Sequence, residues 1–444
     1  MTVEPSRVLV VGGGAGGVAT AAALLQRAAD GLAPVDVTLV ERSAEAGPGL
    51  AYGTHDPHHL LNNYAGRMSA LADDPSHLVR WCRAQGLDVT PETFVSRETY
   101  GRYLGDLLDG LEAPAGSRFT LLRDEVVDVS DAGSDYLVTT ATGAVLSADV
   151  VVLALGNPPP RRPRGFVVDP ARFAVDPWDP VLVDRVGPHD RVLLVGTGLT
   201  TVDVAAQLAS ARPGVTVTAT SRHGLLPLHH VVEAPGPAPV FTADGLTLRE
   251  VLAEVRRCLA AGADWRCVVE SVKAVANELW TGFSFEDKER FTRHVARRWE
   301  IARHRMAPAM AEIVDDLLAT GRLTVVPTAQ VDPASYDLVV NCTGPAPVSA
   351  TGWNVLVDNL AVKGMLWPGP FGLGVDVDVD GALVDADGLA SRGLYAVGAA
   401  RRGVEWEVAA VPDIRRQAAR LAAHLAAAYV DPVTELATAV PGTP

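Results

Sequence analysis

The chain is poor in cysteine and has no long apolar run. Of its 444 residues only Cys82, Cys258, Cys267 and Cys342 are cysteines, and no two have C-x-x-C spacing. That excludes a zinc ribbon and a thioredoxin-type redox pair, and all four are expected to be packing residues. A reduced, cytoplasmic compartment fits this usage. No apolar run approaches the roughly 18 residues that a membrane span needs. The start, MTVEPSR, has no basic region leading into an apolar one, so no signal peptide is expected. Basic residues are also outnumbered. Lys and Arg total 38 against 53 Asp and Glu, a net charge of −15, which argues against a nucleic-acid surface. His58 and His59 have no spaced acid or cysteine partner, so no metal site is expected.

What the chain has in abundance is glycine, and its placement is informative. A buried strand at Val8 to Val11 runs into Gly12, Gly14 and Gly17, and Ala19 to Leu25 is helix-forming. In this G-x-G-x-x-G turn the first glycine makes the bend, the second lets a pyrophosphate approach the backbone, and the third lets helix and strand pack closely. The helix N-terminus offers unpaired N–H groups to the phosphates. A second strand, Val35 to Val40, ends at Glu41, 24 residues past Gly17. An acid there suits a ribose hydroxyl, at the roughly 20-residue spacing this fold uses. Arg42 follows it and is taken with the same site.

The layout recurs in VLLVGTGLTTVDVAAQL, residues 192 to 208, with Gly196, Gly198 and Thr201 in the three positions. Here the second strand, Val215 to Ala219, ends not in an acid but in Ser221 and Arg222, which suits a ribose 2′-phosphate. The first turn thus reads as a site for FAD or NAD and the second as a site for NADP. Two facing dinucleotides make an electron relay from NADPH to a bound flavin.

At 444 residues the chain is too long for one ordinary core. The sequence predicts an α/β protein with two Rossmann-like dinucleotide-binding domains. The FAD domain is discontinuous, at 1–163 and 334–444. The NADP domain, 164–333, is inserted between its parts and carries a helical extension at about 246–320. The boundary is set at PPPRRP, 158 to 163, a stiff linker that can be neither helix nor inner strand. DVVVLALGN (149 to 157) and its near repeat YDLVVNCTGP (336 to 345) read as buried strands, with the chain returning to the FAD domain at about 336. A strand in GLYAVGAARRG (393 to 403) and a helix from Pro412 to Tyr429 complete the chain. Pro412 and Asp413 suit a first helical turn, and the tail TAVPGTP is expected to fray.

The long loop after Glu41 is polar and punctuated by Gly47, Gly49 and Gly53. Tyr52, His59, Asn62, Met68 and Ser69 in it are expected to grip the flavin. Arg97 either holds a phosphate or substrate carboxylate, with Tyr100 and Tyr103 beside it, or caps a helix. Asn157, after a strand-end glycine, either bonds cofactor or substrate or is structural. Arg303, His304 and Arg305 form either a carboxylate- or NADP-binding face or a solvated basic one.

Several stretches resemble those of two-dinucleotide-binding flavoproteins, in particular class B flavin monooxygenases and amino-acid N-hydroxylases. They are GPGLAYGTHDPHHLLNNYAGRMSALADDPSHLVRW (47 to 81), SRETYGRYL (96 to 104), VGTGLTTVDVA (195 to 205), SRHGLLPLHH (221 to 230), RRWEIARHRMAP (297 to 308) and NCTGP (341 to 345). The resemblance implies an FAD- and NADPH-dependent oxidoreductase, with monooxygenation of a small nucleophilic metabolite as its chemistry and N-hydroxylation of an amine or amino acid as the leading case. The alternative is an oxidase or reductase that passes electrons to oxygen or a partner. The expected partners are a small-molecule substrate and oxygen, with no nucleic acid or membrane, and the oligomeric state is open. One position departs from the pattern. Where many relatives have a Gly-Asp pair that binds the flavin's ribityl chain, Gly398 is followed by Ala399 and Ala400.

Overall fold

The structure is a computed structural model that describes residues 4–430, apart from 32, 232–238 and 244. The expected frayed tail lies outside the described residues.

The chain opens as the glycine pattern predicts. Strand β1 (Ser6–Val11) leads through the turn into helix α1 (Ala15–Ala29), and β2 (Val35–Glu41) returns beside β1 in parallel register, Val10 opposite Leu39. A short helix α2 (Gly49–Tyr52), then α3 (His77–Ala84) and α4 (Arg97–Asp109), cover this side before β3 (Arg118–Arg123). Ser96 caps α4 by accepting the Thr99 N–H, as a serine before a helical run should. Strands β4 (Val126–Asp131), β5 (Tyr136–Thr140) and β6 (Val145–Ala148) form a separate antiparallel sheet. Strand β7 (Val150–Leu153) then pairs with the other edge of β1.

The second glycine layout builds the same unit. After β8 (Phe173–Ala174), strand β9 (Arg191–Val195), helix α5 (Leu199–Ala211) and β10 (Thr216–Ser221) repeat β1, α1 and β2. Helices α6 (Leu248–Ala260), α7 (Trp265–Ala274), α8 (Ala276–Gly282), α9 (Phe285–Arg290) and α10 (Ala296–Arg303) form the insertion. Its core gathers Phe241, Trp280 and Phe283 with Trp406 from much later in the chain. Helix α11 (Pro308–Ala319), β11 (Leu323–Pro327) and β12 (Leu338–Asn341) follow. The chain ends with α12 (Val355–Val362), β13 (Ala382–Val384), β14 (Ala390–Ala396) and α13 (Val411–Val430).

The first sheet has the order β13-β14-β7-β1-β2-β3 and the second β11-β10-β9-β12-β8. In each, the strands leave the glycine-bearing central strand in opposite directions, which opens a crevice at its carboxyl end where dinucleotides bind.

Two expectations are corrected. Strand β12 does not return the chain to the first sheet: it pairs with β9, Val340 opposite Leu194. NCTGP resembles LALGN because each flanks the glycine strand of its own sheet. The helical insertion also ends earlier than 320, because Met310, Val314 and Leu317 of α11 pack into the core of the second sheet. Two segments therefore carry the chain between sheets, one after β7 and one after β12. They run together, with Asn341 Nδ2 donating to the Arg161 carbonyl at 2.9 Å and the Ala346 N–H to Pro159 at 3.4 Å.

Candidate functional site

Each crevice begins at a glycine turn, and the three positions of the turn differ physically. Gly12 has φ of +101°, and a Cβ there would lie 2.5 Å from the Ala154 carbonyl oxygen at the end of β7. A Cβ on Gly17 would collide with the Gly12 carbonyl. Packing forces both to be glycine. Gly14 differs: its Cβ would meet only the Gly49 Cα, at an ordinary 3.6 Å. The second turn repeats this. Gly196 has φ of +128° and would collide with the Cys342 carbonyl at the end of β12, and Thr201 is fully buried in the third position. A Cβ on Gly198 would meet nothing within 4 Å. The fold demands both outer glycines of the first turn and the first glycine of the second, whereas in both turns the middle glycine keeps a surface bare that the protein itself does not fill. That is the surface a pyrophosphate needs.

Around the first turn, Glu41 is buried at the end of β2. Its Oε2 accepts the Gly13 N–H at 2.6 Å and its Oε1 the Ser43 N–H at 2.7 Å, which leaves acceptor capacity for hydroxyls. Gly47 donates to the Gly13 carbonyl at 2.7 Å and so holds the following loop across the turn. The start of α13 lies alongside, since a Cβ on Gly16 would be 3.8 Å from Ile414. Pro412 is in that first helical turn, and Arg415 donates to the Ser69 carbonyl at 2.8 Å. The Gly398 N–H donates to Gln417 Oε1 at 2.8 Å, which puts a buried amide on α13 next to the position where Ala399 replaces the expected acid. Met68 and Ser69 are buried here. Tyr52 packs edge-on against Tyr100 at 4.6 Å, and burial pushes its hydroxyl up to about 12.

Other residues expected at this site are placed elsewhere. Arg42 is exposed and pairs with Glu125 at 3.1 Å. His59 and Asn62 face the second domain. The His59 ring stands edge-on to Trp178 at 5.4 Å, and the Asn62 carbonyl lies 3.0 Å from His230 Nε2.

Over the second turn lies a cleft of about 490 Å³. Ser221 and Arg222 line one side, and Cys342, Thr343 and Gly344 line another. Ser221 Oγ accepts from Thr197 Oγ1 at 2.8 Å and from the Gly224 N–H at 3.1 Å. Arg222 is exposed and makes no hydrogen bond or ion pair among the described residues. The remaining wall is α10, through Arg297, Glu300, Ile301 and His304. Arg297 Nη2 donates to the Thr197 carbonyl at 3.1 Å and to the Leu225 carbonyl at 2.5 Å, which fixes the middle of the glycine turn. Glu300 Oε2 lies 3.0 Å from His304 Nε2, and its Oε1 accepts from Arg402 at 2.5 Å. Burial alone would push the Glu300 carboxyl up, but His304 and Arg402 outweigh it and hold it well below the usual range. Of these wall residues the sequence offered only His304, for a carboxylate- or NADP-binding face; Arg297, Glu300 and Ile301 were missed, although the four have the spacing of one helical face.

The expected substrate residues do not converge. Arg97, at the first position of α4, donates to Asp203 of α5 at 2.7 Å and joins the two domains. Burial raises the Asp203 carboxyl to about 6 against the pull of Arg97. Arg303 is buried with its Nε 3.0 Å from Glu407, and Arg305 pairs with Glu270. Each of these arginines already faces a carboxylate of the protein. Tyr100 is fully buried, Tyr103 accepts the Ala70 N–H at 3.1 Å, and Asn157 is exposed.

The comparisons agree with this architecture. Residues 9–158 match a family described as FAD-NAD(P)-binding. Solved structures align over nearly the whole chain. The L-lysine 6-monooxygenase of Pseudomonas syringae does so at a TM-score of 0.60 and 17% identity, covering 96% of this chain and 100% of its own. The ornithine N-hydroxylase of Kutzneria sp. 744, described with reduced FAD, NADP+ and L-ornithine, gives 0.58 and 16%, covering 95% and 99%. A flavin-containing monooxygenase of Stenotrophomonas maltophilia gives 0.52 and 18%, covering 96% and 100%. No curated protein matches the sequence. The chain thus has the two-dinucleotide fold of these proteins over nearly its whole length. Among the described residues, no helix is long and apolar enough to cross a membrane.

Proposed function

We propose that the protein is an FAD- and NADPH-dependent monooxygenase of a small nucleophilic metabolite, with an amine as the leading substrate. The observation that carries this is the pair of glycine turns, each locked by its neighbouring strand and each bare at its middle glycine. FAD, when bound, supplies a two-electron relay between NADPH and oxygen. Glu41 would hold a ribose hydroxyl of FAD, with Gly14 and the start of α1 at its pyrophosphate. Ser221 and Arg222 would take the 2′-phosphate of NADPH, with Gly198 and the start of α5 at its pyrophosphate. The first turn of α13, beside Gly398, would place its positive dipole end toward the flavin.

Oxygen is favoured over a disulfide as acceptor because all four cysteines are buried. Burial pushes the Cys342 thiol up to about 12, far from a reactive thiolate. The names of two similar structures, a lysine and an ornithine hydroxylase, support an amine. Because Arg97, Arg303 and Arg305 face internal acids, an amine without a carboxylate ranks ahead of an amino acid.

The test is NADPH and oxygen consumption by the FAD-loaded protein across a panel of amines, ketones and sulfides, with product analysis. Amine-stimulated turnover that yields a hydroxylamine supports the reading. Conversion of all consumed oxygen to hydrogen peroxide with every compound favours the oxidase instead.

A further inference from the structure

The helical insertion supplies a wall of the second cleft, and in that wall the orientation of His304 is set by Glu300. It closes α10, with its backbone N–H donating to the Glu300 carbonyl at 2.8 Å. Its Nε2 lies 3.0 Å from Glu300 Oε2, and Glu300 stays ionised because Arg402 supports it from the other side. A carboxylate accepts only, so Nε2 carries the hydrogen of that bond. Nδ1 makes no hydrogen bond among the described residues, and His304 lines the cleft. At a pH where the ring carries a single proton, that proton stays on Nε2 facing Glu300 and Nδ1 is an acceptor.

Which half of a dinucleotide would meet that acceptor follows from the polarity of the cleft. Arg222, after β10, marks the end that suits the adenosine 2′-phosphate. Glu300 is tied to Arg402, which follows β14 of the first sheet. His304 is therefore anchored toward the domain that would hold the flavin, the direction the nicotinamide must take to deliver its hydride.

Resting on the FAD- and NADPH-dependent reading, we propose that His304 binds the nicotinamide nucleoside half of the dinucleotide by accepting a hydrogen bond at Nδ1. Glu300 is the positioning residue that fixes its tautomer. The partner is an N–H of the nicotinamide carboxamide or a hydroxyl of the adjoining ribose. Both NADP+ and NAD+ carry these groups, so His304 sets the affinity for the dinucleotide and leaves the choice between the two to Arg222.

The experiment is calorimetric titration of the oxidised, FAD-loaded protein with NADP+, NAD+ and the 3-acetylpyridine analogue of NADP+, which lacks the carboxamide N–H. It requires no turnover. In His304→Ala, NADP+ and NAD+ should weaken by the same factor, about three- to tenfold for one neutral hydrogen bond. FAD content should not change, and the fall in Tm from losing the bond to Glu300 should be shared by His304→Asn. His304→Asn, whose Oδ1 can take the place of Nδ1, should recover part of the loss. If the carboxamide is the partner, the unmodified protein binds the analogue more weakly than NADP+ and His304→Ala binds the two alike. If the ribose is the partner, the analogue loses affinity in His304→Ala as NADP+ does. His304→Ala binding like the unmodified protein, or losing NADP+ alone, overturns the inference while leaving the cofactor reading intact. No binding of NADP+ to the unmodified protein overturns both.

Discussion

At the scale of single residues, the glycine turns separate what the fold requires from what a ligand requires. Gly17 cannot gain a methyl group without striking the Gly12 carbonyl, so Gly17→Ala should unfold or markedly destabilise the first domain. Gly198 sits at the N-cap of α5 with φ of −90°, which any residue adopts, and its Cβ would meet open space. Gly198→Ala should therefore keep its Tm and its FAD while the KM for NADPH rises about tenfold or more, roughly 1.4 kcal/mol of binding. Loss of Tm in step with loss of binding would show the glycine to be structural. Arg222 gives a second separation. Because it is exposed and unpaired among the described residues, Arg222→Ala should leave stability and NADH kinetics alone and weaken only NADPH. Equal use of both coenzymes by the unmodified protein would refute that assignment.

At the scale of elements, the contact between the loop after Glu41 and the second domain buries groups that respond to acid. Burial lowers His59 to about 4 and His230 to about 3, from an ordinary value of 6.5. The unfolded chain thus takes up these protons before the folded one. Their contribution to stability is full above about pH 6.5 and is lost as the pH falls toward 4. Asp203 acts in the opposite sense. Its folded value of about 6 exceeds 3.8, so the folded chain binds that proton first and gains stability across the same window. Two histidines outweigh one acid, and thermal melts should show a Tm that is flat near pH 7 and declines below 6.5. In Asp203→Asn the decline should be steeper, because the opposing contribution is gone. Arg97→Met should lose about 3–5 kcal/mol at pH 7.5 by leaving Asp203 buried without its partner. The deficit should shrink at pH 5, where Asp203 protonates. A pH-independent deficit would remove Asp203 from this role.

These elements also show what the sequence could reveal. The glycine strands, the acid at 41 and the Ser221–Arg222 pair were legible because a Rossmann unit is local: strand, turn, helix and strand follow one another within some thirty residues. The arginines were not. Arg97 meets Asp203, and Arg303 meets Glu407, each more than a hundred residues away, and nothing in spacing discloses such a partner. Strand β12 was misplaced for a related reason. A flanking strand ending in Asn-Cys-Thr-Gly-Pro looks alike in either sheet, and only its pairing with β9 decides.

At the scale of the whole molecule, the helical insertion is bolted to the first domain although it lies between elements of the second. Trp280 of α8 packs on Trp406 at 4.8 Å, and its Nε1 donates to the Gly403 carbonyl at 2.8 Å. Trp280→Ala should cost about 3–5 kcal/mol. Because α10 is part of the same cluster and also walls the cleft, the KM for NADPH should rise as well, although Trp280 does not line the cleft. Unchanged KM in a destabilised variant would mean that the wall stands without that anchor. Trp280→Phe, which keeps most of the packing and loses the hydrogen bond, should cost about 1 kcal/mol.

The two crossings between the sheets have a mechanical consequence. The chain leaves the first sheet from Ala154 and the second from Cys342, and those are the residues whose carbonyls press on Gly12 and Gly196. The two crossings and the two nucleotide grips thus share the same short lengths of backbone. A substitution that shifts either strand end would be felt at the glycine turn beside it, so the joint between the sheets and the grip on a phosphate cannot vary independently.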